Sequence, residues 1–154
     1  MAKQKKAKKE KLTKEQIYQE LSEDVINFFK ERLDNFYIPM DLKFYFQANS
    51  KQKQLIKMSR IPDQYSVILK KDILVQVNEE YYDSFSSNDN DINTILFDQC
   101  INLIHCNLEK GTFKFQATDF KASEGIIEKY TYDKVQRAIE IERLYESQKT
   151  DQQN

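Results

Sequence analysis

Histidine, cysteine, glycine, proline and tryptophan are all scarce in this 154-residue chain, which has one His, two Cys, two Gly, two Pro and no Trp. Two glycines make a phosphate-cradling glycine loop or a tightly turned all-β barrel a poor fit, because both need residues at positive φ that only glycine adopts cheaply. A single histidine, His105, with Cys100 and Cys106 excludes a His-rich or four-cysteine metal cage. No apolar run approaches the roughly 20 residues of a membrane span. The lysine-rich start is followed by no apolar stretch, so neither an anchor nor a signal peptide is expected. What is present is core material: the chain is 40% hydrophobic, with ten Phe and nine Tyr, enough for one packed domain.

The formal net charge of −1 conceals an uneven distribution. Lys3, Lys5, Lys6, Lys8, Lys9, Lys11 and Lys14 stand against Glu10 alone, so residues 1 to 14 carry +6 and the remainder carries −7. Residues 1 to 12 have too few apolar groups to offset the entropy of ordering, and they read as a disordered basic arm. Residues 13 to 147 then form a single α+β domain, and the polar residues 148 to 154 read as a disordered tail. Such an arm is suited to acidic or phosphate-rich partners, where each neutralised phosphate releases counterions. It serves equally as a solubility tail, since clustered lysines carry no base readout.

The hydrophobic period gives the elements. Thr13 to Gln16 forms a capping box, and Ile17, Leu21, Val25, Phe28, Phe29 and Leu33 share one face of a helix expected to reach about Asp34, before Pro39. Alternation then predicts a strand over Asp41 to Gln47 and a second near Gln54 to Met58. Two short β-type runs follow, Tyr65 to Leu69 and Asp72 to Val77, the latter central in the sheet. After a short helical turn from Asn78 and a polar loop at Ser86 to Asp91, Ile92 to Glu109 reads as a largely buried helix. Gly111 marks its expected end, and Thr112 to Ala117 alternates as a strand. Short and longer C-terminal helices follow, capped by Thr118 or Asp119 and by Thr131. The fold class is therefore α+β: an N-terminal amphipathic helix, a small mixed or antiparallel sheet of about four to five strands, a buried central helix and two C-terminal helices.

On the central helix, Asp98, Asn102, His105 and Glu109 fall on a narrow polar stripe at steps of four, three and four, beside Gln99. Such a stripe either lines a cleft or forms a solvated edge. Cys100 and Cys106 project in different directions from a helix and cannot pair, and both read as buried reduced thiols. Glu79/Glu80 and Glu140/Glu142 read as surface carboxylates, and no nucleophile has both a base and an orienting third group. Lys43-Phe44-Tyr45-Phe46 and Phe113-Lys114-Phe115 interleave lysines with aromatics, as a stacking surface for single-stranded nucleic acid would. Strand alternation accounts for them more simply, with Phe inward and Lys outward.

The order of elements adds a family likeness. Asp72-Ile73-Leu74-Val75-Gln76-Val77-Asn78-Glu79-Glu80-Tyr81-Tyr82 leads into the central helix, then Asn107-Leu108-Glu109-Lys110-Gly111, a Phe-rich strand and Thr118-Asp119-Phe120. The stretch closes on Gly125-Ile126-Ile127-Glu128-Lys129-Tyr130. This resembles the zincin-like metallopeptidases encoded by tailed bacteriophages, over residues 40 to 131. In that family His-Glu-x-x-His sets two imidazoles one helical turn apart around a metal, with a carboxylate to activate the bound water. The matching position here is Asp98-Gln99-Cys100-Ile101-Asn102 or, one residue on, Gln99-Cys100-Ile101-Asn102-Leu103, and neither holds a histidine.

The resemblance thus implies the scaffold without the chemistry. A divalent ion would have to rely on Asp98, His105 and Asp119, a thin set for a site that needs three or four ligands, so no metal or other cofactor is expected. The expectation is a non-catalytic bacteriophage accessory or virion-associated protein that binds an unidentified phage or host protein, in the host cytoplasm or the virion and without a membrane. The alternative is a nucleic-acid-associated protein acting through Lys3, Lys5, Lys6, Lys8, Lys9 and Lys11. A residual metal-dependent hydrolase comes third.

Overall fold

The computed structural model describes residues 12–88, 90–116 and 132–153, so the basic arm and the short helix expected from Thr118 or Asp119 lie outside the described residues. The elements run α1 (Lys14–Ile17), β1 (Tyr18–Gln19), α2 (Glu23–Leu33), β2 (Phe44–Asn49), β3 (Ile56–Arg60), α3 (Asp63–Leu69) and β4 (Ile73–Val77). After them come α4 (Glu79–Asn88), α5 (Asn90–Asn102), β5 (Ile104–Asn107), β6 (Thr112–Phe115) and α6 (Tyr132–Gln153). The class is α+β. A four-stranded mixed sheet has the order β1-β2-β4-β3, in which β2 and β4 are parallel and the outer strands antiparallel to them, while β5 and β6 form a separate hairpin.

The capping box is present: the Thr13 N–H donates to Gln16 Oε1 at 2.9 Å and the Gln16 N–H donates to Thr13 Oγ1 at 3.3 Å. The helix it starts is nevertheless one turn long, not a run to Asp34, because Tyr18 and Gln19 leave it to pair with Asn49 and Ala48 of β2. Helix resumes after Ser22, whose N–H donates to the Glu79 carboxylate at 2.7 Å. Ile17, Leu21, Val25 and Phe29 remain buried across the break, so the apolar face survives although the helix is interrupted.

One face of the sheet is covered. Phe44 and Phe46 set their rings edge-on against Phe29 of α2, and Ile73, Val75 and Val77 of the central strand are fully buried. Phe28 packs between Phe97 of α5 and Tyr82 of α4, each ring pair edge to face, a geometry that the ring quadrupoles favour. Phe113 is buried as well, so the Phe residues of both aromatic–lysine runs point inward while Lys43, Tyr45 and Lys114 stay exposed.

Four expected elements differ from the structure. Tyr65 to Leu69 is helix α3, not a strand, because Pro62 occupies its N-cap, and its end is closed by Lys70 in the left-handed region at φ 55°. Ser86 to Asp91 is not a loop: α4 continues to Asn88 and α5 begins at Asn90. The central helix stops at Asn102 instead of Glu109, since Ile104 and Cys106 alternate as a strand and pair with Phe115 and Phe113. Gly111 therefore ends no helix. It turns the hairpin at φ +63°, a conformation cheap only for glycine. In α6, Ile141 and Tyr145 pack on the core, with Tyr145 against Tyr81 and Phe85, whereas Leu144 is exposed.

Asn78, buried at the end of β4, ties down the β2–β3 connection. Its Nδ2 donates to the carbonyls of Gln52 (2.8 Å) and Ser50 (3.4 Å), and its Oδ1 accepts from the Glu80 N–H (3.1 Å). Asn78→Ala strands these buried groups and is expected to lower stability by about 2–3 kcal/mol in urea unfolding. A variant as stable as the parent would show that the loop holds itself.

Candidate functional site

A cleft of about 240 Å³ opens between the outer strand β3 and helix α5, with Gln54, Ile56, Lys57 and Met58 on one wall and Leu96, Gln99, Cys100 and Leu103 on the other. Phe115 of the hairpin and Glu142 of α6 close its ends. The wall is shaped by periodicity: residues 96, 99, 100 and 103 recur at three- and four-residue steps, so one side of α5 and its terminal turn faces β3. Of the two alignments with His-Glu-x-x-His, the one that faces the cleft is Gln99-Cys100-Ile101-Asn102-Leu103, with Gln99, Cys100 and Leu103 in its wall.

Asp98 does not line this cleft. It is fully buried on a different side of α5, where Arg32 of α2 donates to it through two parallel bonds, Nε to Oδ1 at 2.8 Å and Nη2 to Oδ2 at 2.6 Å. A carboxylate so held is an anchor between two helices. His105, expected on the helix and partly buried, is an exposed residue of β5 opposite Lys114. Asn102 is half-buried at the last position of α5. The expected polar stripe is thus dispersed among an ion pair, a cleft wall and a hairpin, and it forms neither a single site nor a solvated edge. Asp119 lies outside the described residues, and among those described no group of three or more His, Cys, Asp or Glu is arranged to hold a metal ion.

The chemistry of the cleft wall is subdued. Burial pushes the Cys100 thiol up to about 12, against which the Met58 backbone N–H works, so it stays protonated and is a poor nucleophile. Cys100 on α5 and Cys106 on β5 are both free thiols. Glu142, expected on the surface, is half-buried, and its Oε2 accepts from the Leu55 N–H at 3.0 Å. Burial raises its carboxyl above the ordinary range. The Leu55 bond lowers it, and the neighbouring Glu146 raises it further.

Gln99, Cys100, Leu103, Phe115 and Glu142 are each noted in the sequence for separate reasons, and nothing in their spacing brings them to one cleft. Leu96 and Leu103 read from the sequence as a helix side to be buried and Gln54 to Met58 as a strand, and the outer position of β3 turns them into a wall. Away from the cleft, α3 buries none of its side chains: Val67 and Ile68 are 78% and 76% exposed, with Tyr65 and Leu69 half-exposed beside them. Four of the seven residues of α3 thus give it an exposed apolar and aromatic side.

No family model, curated protein or solved structure matches the chain. Among the described residues, no helix is long and apolar enough to cross a membrane.

Because the folded-state value of Glu142 lies above the unfolded one, the group favours the fold when protonated. That contribution is complete below the ordinary glutamate range and is lost as pH rises through the raised folded value. Thermal melts of the parent should lose stability across that window, and Glu142→Gln, which keeps an acceptor for the Leu55 N–H, should flatten the loss. Equal pH slopes in both proteins would place the Glu142 carboxylate in solvent.

Proposed function

We propose that this chain is a non-catalytic bacteriophage accessory or virion-associated protein that keeps a metallopeptidase-like scaffold and acts by binding another protein, of phage or host. The observation that carries the reading is the wall of α5. Where a metallopeptidase of the resembled family would present two imidazoles and a carboxylate, this helix and its terminal turn present Gln99, Cys100 and Leu103, and the carboxylate next to them, Asp98, is committed to Arg32. The wall of α5, with apolar side chains, an amide and a protonated thiol, can take up a segment of a partner and offers no base of its own to activate water. The carboxylate at the end of the cleft, Glu142, accepts from the Leu55 N–H. The apolar surface of α3 supports the same reading, since protein partners cover such patches.

A photo-crosslinking residue placed at Gln99 of the full chain should capture one defined protein in infected cells, while the same group at Tyr37, which is 91% exposed, should not. The purified chain with added Zn²⁺ should leave an unstructured protein substrate intact. Substrate cleavage by the parent that Gln99→Arg abolishes would contradict the reading and favour a hydrolase.

A further inference from the structure

The second face of the sheet has a different character from the first. Alternation turns Tyr45, Gln47, Leu74, Gln76, Lys57 and Ser59 away from the core, and the register aligns Gln47, Gln76 and Lys57 in one row across three strands. In that row Gln76 Nε2 donates to Gln47 Oε1 at 2.9 Å. Tyr18 joins the face from β1 opposite Asn49, and Tyr18 and Tyr45 are 46% and 43% exposed. At the end of the face where the β2–β3 connection passes, a concavity of about 560 Å³ is lined by Tyr18, Asn49, Gln76, the three lysines Lys51, Lys53 and Lys57, and the carboxylate of Glu146. None of the three lysines is in an ion pair among the described residues.

Charge is unevenly distributed between the strands and the two central helices. Residues 41 to 78, which carry the three long strands, hold seven basic and three acidic side chains. Residues 79 to 102, which form α4 and α5 against the covered face, hold six acidic side chains and no basic one. In the concavity itself three lysines stand against the single carboxylate of Glu146, which favours an anionic chain there. Helix α1, with Lys14 at its start, leads directly into Tyr18 of the edge strand β1.

We propose that the open face of the sheet binds single-stranded nucleic acid. Lys51, Lys53 and Lys57 take the phosphates, Tyr18 and Tyr45 offer ring faces on which bases stack, and the amides of Asn49, Gln47 and Gln76 supply donors and acceptors at base edges. Stacking needs unpaired bases, and a sheet surface too flat to enter a groove suits a splayed strand better than a duplex. The ligand follows from charge complementarity together with exposed tyrosines. An acidic protein would satisfy the lysines but would give the rings no role.

The test is fluorescence anisotropy of the full chain with a labelled oligothymidylate of about 20 nucleotides, longer than one such platform covers. The parent should bind it more tightly than a duplex of the same length. K51Q/K53Q/K57Q, with all three changes on exposed or loop positions, should weaken binding about tenfold or more and lower the salt slope by about two, at about 0.7 per single-strand phosphate contact. Tyr45→Ala and Tyr18→Ala should each cost about fivefold or more. A chain with Lys3, Lys5, Lys6, Lys8, Lys9 and Lys11 changed to Gln should bind more weakly but keep its preference for the single strand. Circular dichroism confirms that each variant is folded. The proposal is overturned by an unchanged slope in the triple variant, by equal affinity for duplex, by complete loss of binding with the arm lysines, or by polyglutamate displacing the oligonucleotide as well as unlabelled oligonucleotide does.

Discussion

The arrangement of helices over the sheet turns on the pair between Arg32 and Asp98. Asp98 is wholly enclosed, and a carboxylate removed from water is tolerated only when its charge is matched and its lone pairs are filled. The two-pronged guanidinium does both, at 2.8 and 2.6 Å, and in doing so fixes the rotation of α5 relative to α2. Phe28 and Phe29 of α2 meet Phe97 next to that pair, so the aromatic core and the ion pair impose the same register. With Asp98 turned to α2, the adjacent Gln99 and Cys100 are turned to β3, and the cleft acquires its wall.

That single rotation governs the functional reading. A helix of this length has one carboxylate after its first turn, and it is used internally. The side facing the cleft is left with an amide, a thiol held protonated by burial, and leucines. The molecule consequently has three surface features of different character: a cleft along β3, an exposed apolar side of α3 and a sheet face of tyrosines, amides and lysines. The cleft and the sheet-face concavity meet at Gln54 and Lys57, while α3 lies apart from both linings.

Much of the fold was legible because alternation and helical spacing are local. The central strand at Ile73 to Val77, the inward Phe44 and Phe46, the cap at Thr13 and the amphipathic face from Ile17 to Phe29 all follow from spacing alone. Spacing failed where two periods coincide. Ile101, Ile104 and Leu108 fit a helix, yet Ile104 and Cys106 equally fit a strand, and only pairing with Phe113 and Phe115 decides between them. Tyr65 to Leu69 misled by composition, for β-branched and aromatic residues gave way to a proline-led turn of helix. The candidate site was less legible still. Asp98 and His105 look like neighbours on a helical stripe, but the partner of one lies 66 residues away on α2 and the other belongs to a hairpin. Glu142 reads as a surface acid until the Leu55 N–H, 87 residues distant, is brought to it.

A double-mutant cycle tests directly whether Asp98 is a structural anchor instead of a chemical group. Urea unfolding of the parent, Arg32→Ala, Asp98→Ala and the double variant should give a loss of about 3–5 kcal/mol for Asp98→Ala. The coupling between the two positions should be about 2 kcal/mol or more, within the range for residues in direct contact. Additive losses, or an Asp98→Ala protein as stable as the parent, would mean that the pair does not hold α5 in place, and the orientation of the cleft wall would lose its cause.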